Sequence, residues 1–171
     1  DHIQICHKIT VYPGMKRLNL PFKIVFTGPE SSGKTILAGS LAQTLESDLV
    51  PEFSRPYLAA LGRKYGYEDL KHIAAGQKNW EKWYEQRGEK ALLICDTDWT
   101  VIRVWELYGF GSQQITAGET LSPNTYYFLC APDLPWEPDP LREHPNEREA
   151  LFDLYHELLK EIGANFTVLR G

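Results

Sequence analysis

Residues Gly28-Pro29-Glu30-Ser31-Ser32-Gly33-Lys34-Thr35 fit the pattern G-x-x-x-x-G-K-[ST]. An apolar run at 22–26 precedes them, and a helix-forming stretch at 36–42 follows. Strand, glycine loop and helix in that order restrict the chain to α/β folds in which a strand end turns at once into a helix. The glycines let the loop turn tightly and approach an anion closely, so that its backbone N–H groups can wrap a phosphate. The following helix directs its positive dipole end at the same anion. In this pattern the lysine, here Lys34, reaches the β- and γ-phosphates of a nucleoside triphosphate, and the hydroxyl of Thr35 ligates Mg²⁺. ATP with Mg²⁺ is therefore the expected ligand, held by Gly28, Pro29, Glu30, Ser31, Ser32, Gly33, Lys34 and Thr35.

The rest of the chain alternates between strand and helix patterns. Strands are expected at 22–27, 48–51, 91–95, 126–131 and 166–169. Helices are expected at 34–45, 56–65, 68–87, 100–108 and 147–162. The run at 91–95 is uniformly apolar, as in a strand buried on both faces. Alternating βα units predict a three-layer α/β fold: a five-stranded parallel sheet with helices on both faces. The domain is expected to span 22–171, after an N-terminal tail at 1–21 in which Met15 resembles a natural start. Related folds continue into a further helix, so the chain is expected to extend beyond Gly171.

In such sheets ligands bind beyond the carboxyl ends of the strands. Each segment that follows a strand is therefore a candidate. Asp96 and Asp98 follow the third strand, and period two places them on one face. They read either as Mg²⁺ and substrate ligands, with Asp96 on the metal, or as caps of the next helix. Glu52 follows the second strand. It reads as a general base for an attacking hydroxyl or as a solvated partner of Arg55. Asp98 is the other candidate for that base. Pro56 is expected at the first helical position, holding Arg55 outside the helix. Residues 132–148 carry five prolines and two arginines. They read as a lid whose Arg142 and Arg148 neutralise a transferring phosphoryl group, or as a solvated loop. Trp136 stands in this segment, where its face can stack on a flat base. The remaining tryptophans read mostly as core.

Bulk properties exclude some classes. The 43% hydrophobic and 24% charged composition supports a folded core rather than disorder. A net charge of −5 makes nucleic acid a poor partner. No apolar run approaches the roughly 18 residues of a membrane span, and no signal-peptide pattern is visible. Cys6, Cys95 and Cys130 lack metal-type spacing and suggest a reducing compartment, hence the cytoplasm. His2, Cys6 and His7 read as part of a tail rather than a metal cluster.

Five groups of residues together resemble one family. They are Phe26 through Thr35; Val50 through Tyr57; Ile73 through Gln77; Asp96-Thr97-Asp98; and Pro132-Asp133-Leu134-Pro135-Trp136 with Asp139 and Arg142. The chain is similar to the ribosylnicotinamide kinase domain of the NadR-type NAD-salvage proteins. The resemblance implies phosphorylation of the ribose 5′-hydroxyl of nicotinamide riboside with MgATP. It also implies that many relatives carry an adenylyltransferase domain upstream. Such a substrate carries a cationic ring. Its site should offer carboxylates and an aromatic wall, types that Glu52, Asp96, Asp98, Asp133, Tyr57, Trp99 and Trp136 supply. The open alternatives are a kinase for another nucleoside or nucleotide, and an ATP-binding switch with slow turnover.

Overall fold

The computed structural model describes residues 20–87 and 90–171. The expectations about His2, Cys6, His7 and Met15 lie outside the described residues. In chain order the elements are β1 (Phe22–Thr27), α1 (Lys34–Thr44), β2 (Asp48–Val50), α2 (Ser54–Leu61), α3 (Tyr67–Arg87), β3 (Leu92–Asp96), α4 (Trp99–Phe110), β4 (Thr125–Cys130), α5 (Arg148–Glu161) and β5 (Asn165–Leu169).

The strands form one parallel sheet in the order β2-β3-β1-β4-β5. β1 lies between β3 and β4, so the winding reverses direction at its carboxyl end. That reversal opens a crevice above β1, where the phosphate loop emerges.

Alternation along the strands divides the core. Ile24, Phe26, Ile94, Phe128 and Cys130 face α1, meeting Ala38 and Ala42. Val25, Leu93, Cys95, Tyr127 and Leu129 face the other side, against Val101 and Val104 of α4 and Leu151, Tyr155 and Leu159 of α5. Each such aliphatic side chain, fully buried, stabilises the fold by roughly 1.5–3 kcal/mol. Cys95 and Cys130 are buried and free of any disulfide. Among the described residues no helix is long and apolar enough to cross a membrane.

Two local expectations need correction. α2 begins at Ser54 rather than Pro56, so Arg55 is helical. Pro56 falls in the first turn, where its missing N–H would have had no helical acceptor, so it costs the helix little. Asp96 and Asp98 do not share a strand face. β3 ends at Asp96, and Thr97 takes a left-handed φ of 83°. That conformation is costly for a β-branched residue, of order 1–3 kcal/mol. It swings the chain off the strand, while the Thr97 N–H still donates to the Phe26 carbonyl at 3.0 Å.

Candidate active site

The phosphate loop is built by backbone conformation. Gly28 has φ 134°, and a Cβ there would sit 2.6 Å from the Cys130 carbonyl oxygen. Only glycine lets the loop leave β1 so close to β4. Gly33, with φ 81°, precedes α1 without a side-chain cap, and no acidic residue occupies the first turn of that helix. The helix therefore presents its first N–H groups unneutralised to whatever anion lies in the loop. Ser32 Oγ donates to the Pro29 carbonyl at 2.8 Å, and Lys34 Nζ donates to the same oxygen at 2.6 Å. The lysine is thus folded over the mouth of the loop.

A cavity of about 500 Å³ opens above the sheet, lined by all of Gly28 to Thr35, by Glu52 and Arg55, and by Arg142. Its far wall is apolar and aromatic: Leu58, Val101, Trp105, Leu151 and Tyr155.

Asp96 ends β3, level with Phe26 in the sheet register and 3% exposed, and does not itself line the cavity. Burial pushes its carboxyl up; the Thr35 hydroxyl pulls it down, Glu52 pushes it up, and the charges of Lys34 and Arg55 pull it down again. Its Oδ1 is buried without a hydrogen-bond partner. An unpartnered carboxylate oxygen beside a hydroxyl is the donor set of a Mg²⁺ that arrives with a nucleotide. Such an ion takes one or two protein ligands, its remaining ligands being phosphates and water. Among the described residues no three His, Cys, Asp or Glu side chains converge on a metal site. Thr35 and Asp96 thus fit an ion that brings most of its ligands with it.

Glu52 sits where β2 hands over to α2. Ser54 Oγ donates to its Oε1 at 2.7 Å, and Arg55 Nε lies 3.6 Å from its Oε2. Arg55 Nη1 also reaches Asp139 Oδ2 at 3.2 Å, linking this turn to the lid segment. Asp139 in turn accepts from the Leu141 N–H, and that bond, with the Arg55 charge, holds its carboxyl below the ordinary range. The backbone N–H of Phe53 donates to Gln77 Oε1 of α3 at 2.9 Å.

The lid segment carries no helix or strand between β4 and α5. Arg142 donates to Ser31 Oγ at 3.3 Å and to the Glu137 carbonyl. Arg148, the first residue of α5, donates to the carbonyls of Leu134 at 2.9 Å and Ser31 at 3.3 Å. Both guanidinium groups lie over the Trp136 ring, 5.9 and 5.7 Å from its centroid.

The remaining expected site residues stand elsewhere. Asp98 caps α4: its Oδ1 takes the Thr100 N–H and hydroxyl at 2.9 and 2.6 Å, and its Oδ2 takes the Tyr127 hydroxyl at 2.7 Å. It is buried with both oxygens bonded, outside the lining of the cavity. Burial pushes its carboxyl up, and these bonds draw it back down. Tyr57 donates to Asp69 at 3.0 Å, Trp99 stacks with Arg103, and Asp133 accepts from Gly171 N at 3.2 Å. None of these three, nor Trp136 or Arg148, lines the cavity.

Trp105 and Tyr155 were not singled out from sequence. Val101 with Trp105 on α4, and Leu151 with Tyr155 on α5, are i, i+4 pairs. That spacing marks a helix face turned inward, but does not distinguish a core from a cavity wall.

Residues 23–171 match the model of the AAA_28 family, described as an AAA domain. Among curated proteins none matches in sequence. Among solved structures, the chain is similar to NadR protein in complex with NAD and AMP-PNP, at 18% identity and a TM-score of 0.66 over 88% of this chain and 44% of that one. A second NadR structure, in complex with NR, gives 18% identity and a TM-score of 0.67 over 88% and 45%. A thymidylate kinase from Ehrlichia chaffeensis gives 17% identity and a TM-score of 0.61 over 87% and 86%. The chain spans under half the length of the NadR chains it matches. These likenesses establish the fold, that of the P-loop kinases, as the resemblance implied. With its family model matched from the first strand to the last, the chain belongs to the AAA_28 family of P-loop AAA domains.

Proposed function

We propose that this chain is a small-molecule kinase that transfers the γ-phosphoryl group of MgATP to the 5′-hydroxyl of nicotinamide riboside. The observation that carries the reading is one shared cavity: the phosphate loop and the Glu52 carboxylate line it together, opposite Trp105 and Tyr155. The NadR chain in complex with NR adds support for this acceptor.

Glu52, oriented by Ser54, accepts the proton of the attacking hydroxyl. Lys34 and Arg142 supply positive charge to the phosphoryl group in flight. Thr35 and Asp96 would hold a Mg²⁺ that arrives with the nucleotide, and when bound that ion would supply charge neutralisation at the phosphates. The lid closes over the loop and excludes water. Trp105 and Tyr155, rather than Trp99 or Trp136, supply the aromatic wall for the cationic ring.

A kinase for a nucleoside monophosphate would need a free cation at the acceptor end to hold the acceptor's phosphate. Arg55, the arginine on that side, is engaged by Glu52 and Asp139. The apolar wall therefore favours an acceptor without a phosphate.

The test is ADP release and product mass with MgATP and nicotinamide riboside, thymidine monophosphate, or no acceptor. Nicotinamide mononucleotide should form only with the first. Equal ADP release with no acceptor would replace the reading with a slow ATPase switch.

A further inference from the structure

The phosphate-loop pattern leaves residues 29–32 open to many side chains, because backbone N–H groups do the work of cradling phosphate. In this chain two of those side chains turn away from the cradle and grip the lid. Glu30 Oε2 accepts the backbone N–H of Glu143 at 3.0 Å and that of His144 at 3.1 Å. Ser31 Oγ accepts the Glu137 N–H at 3.0 Å and an Arg142 N–H at 3.3 Å, and donates to the Pro135 carbonyl at 3.3 Å. Gly33 completes the seam: a Cβ there would lie 3.1 Å from Leu134 Cδ1.

Glu30 makes the bonds that matter most for placement. A carboxylate accepting two successive N–H groups forms charge-assisted bonds, stronger than the neutral contacts that Ser31 makes with the Glu137 N–H and the Pro135 carbonyl. The two N–H groups belong to the residues directly after Arg142, so fixing them fixes the path of the arginine. His144 lies on the cavity wall, as does Glu30 itself. Tyr65 lies close by: its hydroxyl is pushed up to about 12 by burial, with Glu143 and Glu30 adding to the effect.

We infer that Glu30 is a positioning residue, a clasp that holds the lid by the N–H groups of Glu143 and His144 and so sets Arg142 above the phosphate loop. The inference rests on the phosphoryl-transfer reading for the role of Arg142, but not on the identity of the acceptor. Its consequence is that the nucleotide cradle and the lid are joined through one side chain. Losing the carboxylate frees the lid while the backbone cradle remains.

The test is limited trypsin digestion of the full chain with saturating MgAMP-PNP. Cleavage after Arg142 is scored against cleavage after Arg103, which is in α4 and reports global opening. Glu30→Ala should speed cleavage at Arg142 about tenfold and leave Arg103 unchanged, because the opening is local. Glu30→Gln, which keeps an acceptor oxygen but loses the charge, should fall between the two. Cleavage at Arg142 within twofold of wild type would overturn the inference. So would equal acceleration at both sites, which marks a general loss of stability. No acceptor is present, so neither result depends on whether nicotinamide riboside is the substrate.

Discussion

Gly76 of α3 lies against the ring of Phe53, where a Cβ would come within 2.2 Å of Phe53 Cε1. The same ring packs edge-on against Trp80, 4.9 Å between centroids, and the next residue, Gln77, holds the Phe53 N–H. α3 thus sets the turn that carries Glu52. In an exposed helix, glycine to alanine stabilises by about 1 kcal/mol. Here Gly76→Ala should do the opposite, costing about 1–3 kcal/mol through overpacking, and should lower kcat by displacing Glu52. Chemical denaturation together with steady-state kinetics checks both. A more stable, fully active variant would contradict the packing argument.

Glu52→Gln should lower kcat by roughly 10²–10⁴ while ATP affinity stays within a few fold, because in the proposed reaction the carboxylate acts on the acceptor proton. Pre-steady-state ADP formation beside nucleotide titration separates these effects. Full kcat would remove Glu52 as the base. Asp98 is a poor replacement, since both of its oxygens already accept hydrogen bonds.

Lys34→Ala should nearly abolish turnover and leave the fold intact. Its ammonium meets a loop carbonyl rather than the core, and removing a comparable charge donor costs ~3–4 kcal/mol of transition-state stabilisation. Circular dichroism and kcat check the two halves. More than about a tenth of wild-type kcat would contradict the role.

Lys23 of β1 offers one ammonium to two carboxylates of α3, Glu81 at 3.1 Å and Glu85 at 3.0 Å. Burial pushes Glu81 from 4.5 up to about 7, Lys23 opposing the shift and Asp98 and Glu85 adding to it. Below pH 4.5 the folded and unfolded chains both hold this proton. As pH rises towards 7, the unfolded chain releases it first, so stability falls across that window. Wild type should therefore lose stability relative to Glu81→Gln as pH rises through that window. Parallel stability curves for the two proteins would contradict this.

Much of the fold was legible in the sequence because buried parallel strands leave apolar runs, and the phosphate loop fixes where the first strand ends. The line Gly28 to Thr35 and the turn at Glu52 were legible for the same reason: each directly follows a strand. Of the two readings left open for Asp98 the structure shows the helix cap, and the expectation that it shares a face with Asp96 failed because strand alternation was carried one residue too far. The left-handed turn at Thr97 breaks it, and a β-branched residue does not announce that conformation. The start of α2 was misplaced because Pro56 fits the first position of a helix as well as the third. The aromatic wall was hidden because Trp105 and Tyr155 sit mid-helix, where apolar spacing serves a core and a cavity alike. The clasp at Glu30 joins residues 113 and 114 positions apart, a relationship that no local pattern carries.

The most direct measurement is kcat/KM for nicotinamide riboside and for uridine, on wild type and on Trp105→Ala. A cationic ring gains ~0.5–2 kcal/mol from an aromatic wall, and desolvating nearby carboxylates against a neutral ring costs more. Wild type should therefore prefer nicotinamide riboside by roughly ten- to hundred-fold, each tenfold being about 1.4 kcal/mol. Trp105→Ala should shrink that ratio more than it weakens ATP binding. Equal kcat/KM for nicotinamide riboside and uridine on the wild type would contradict the assignment.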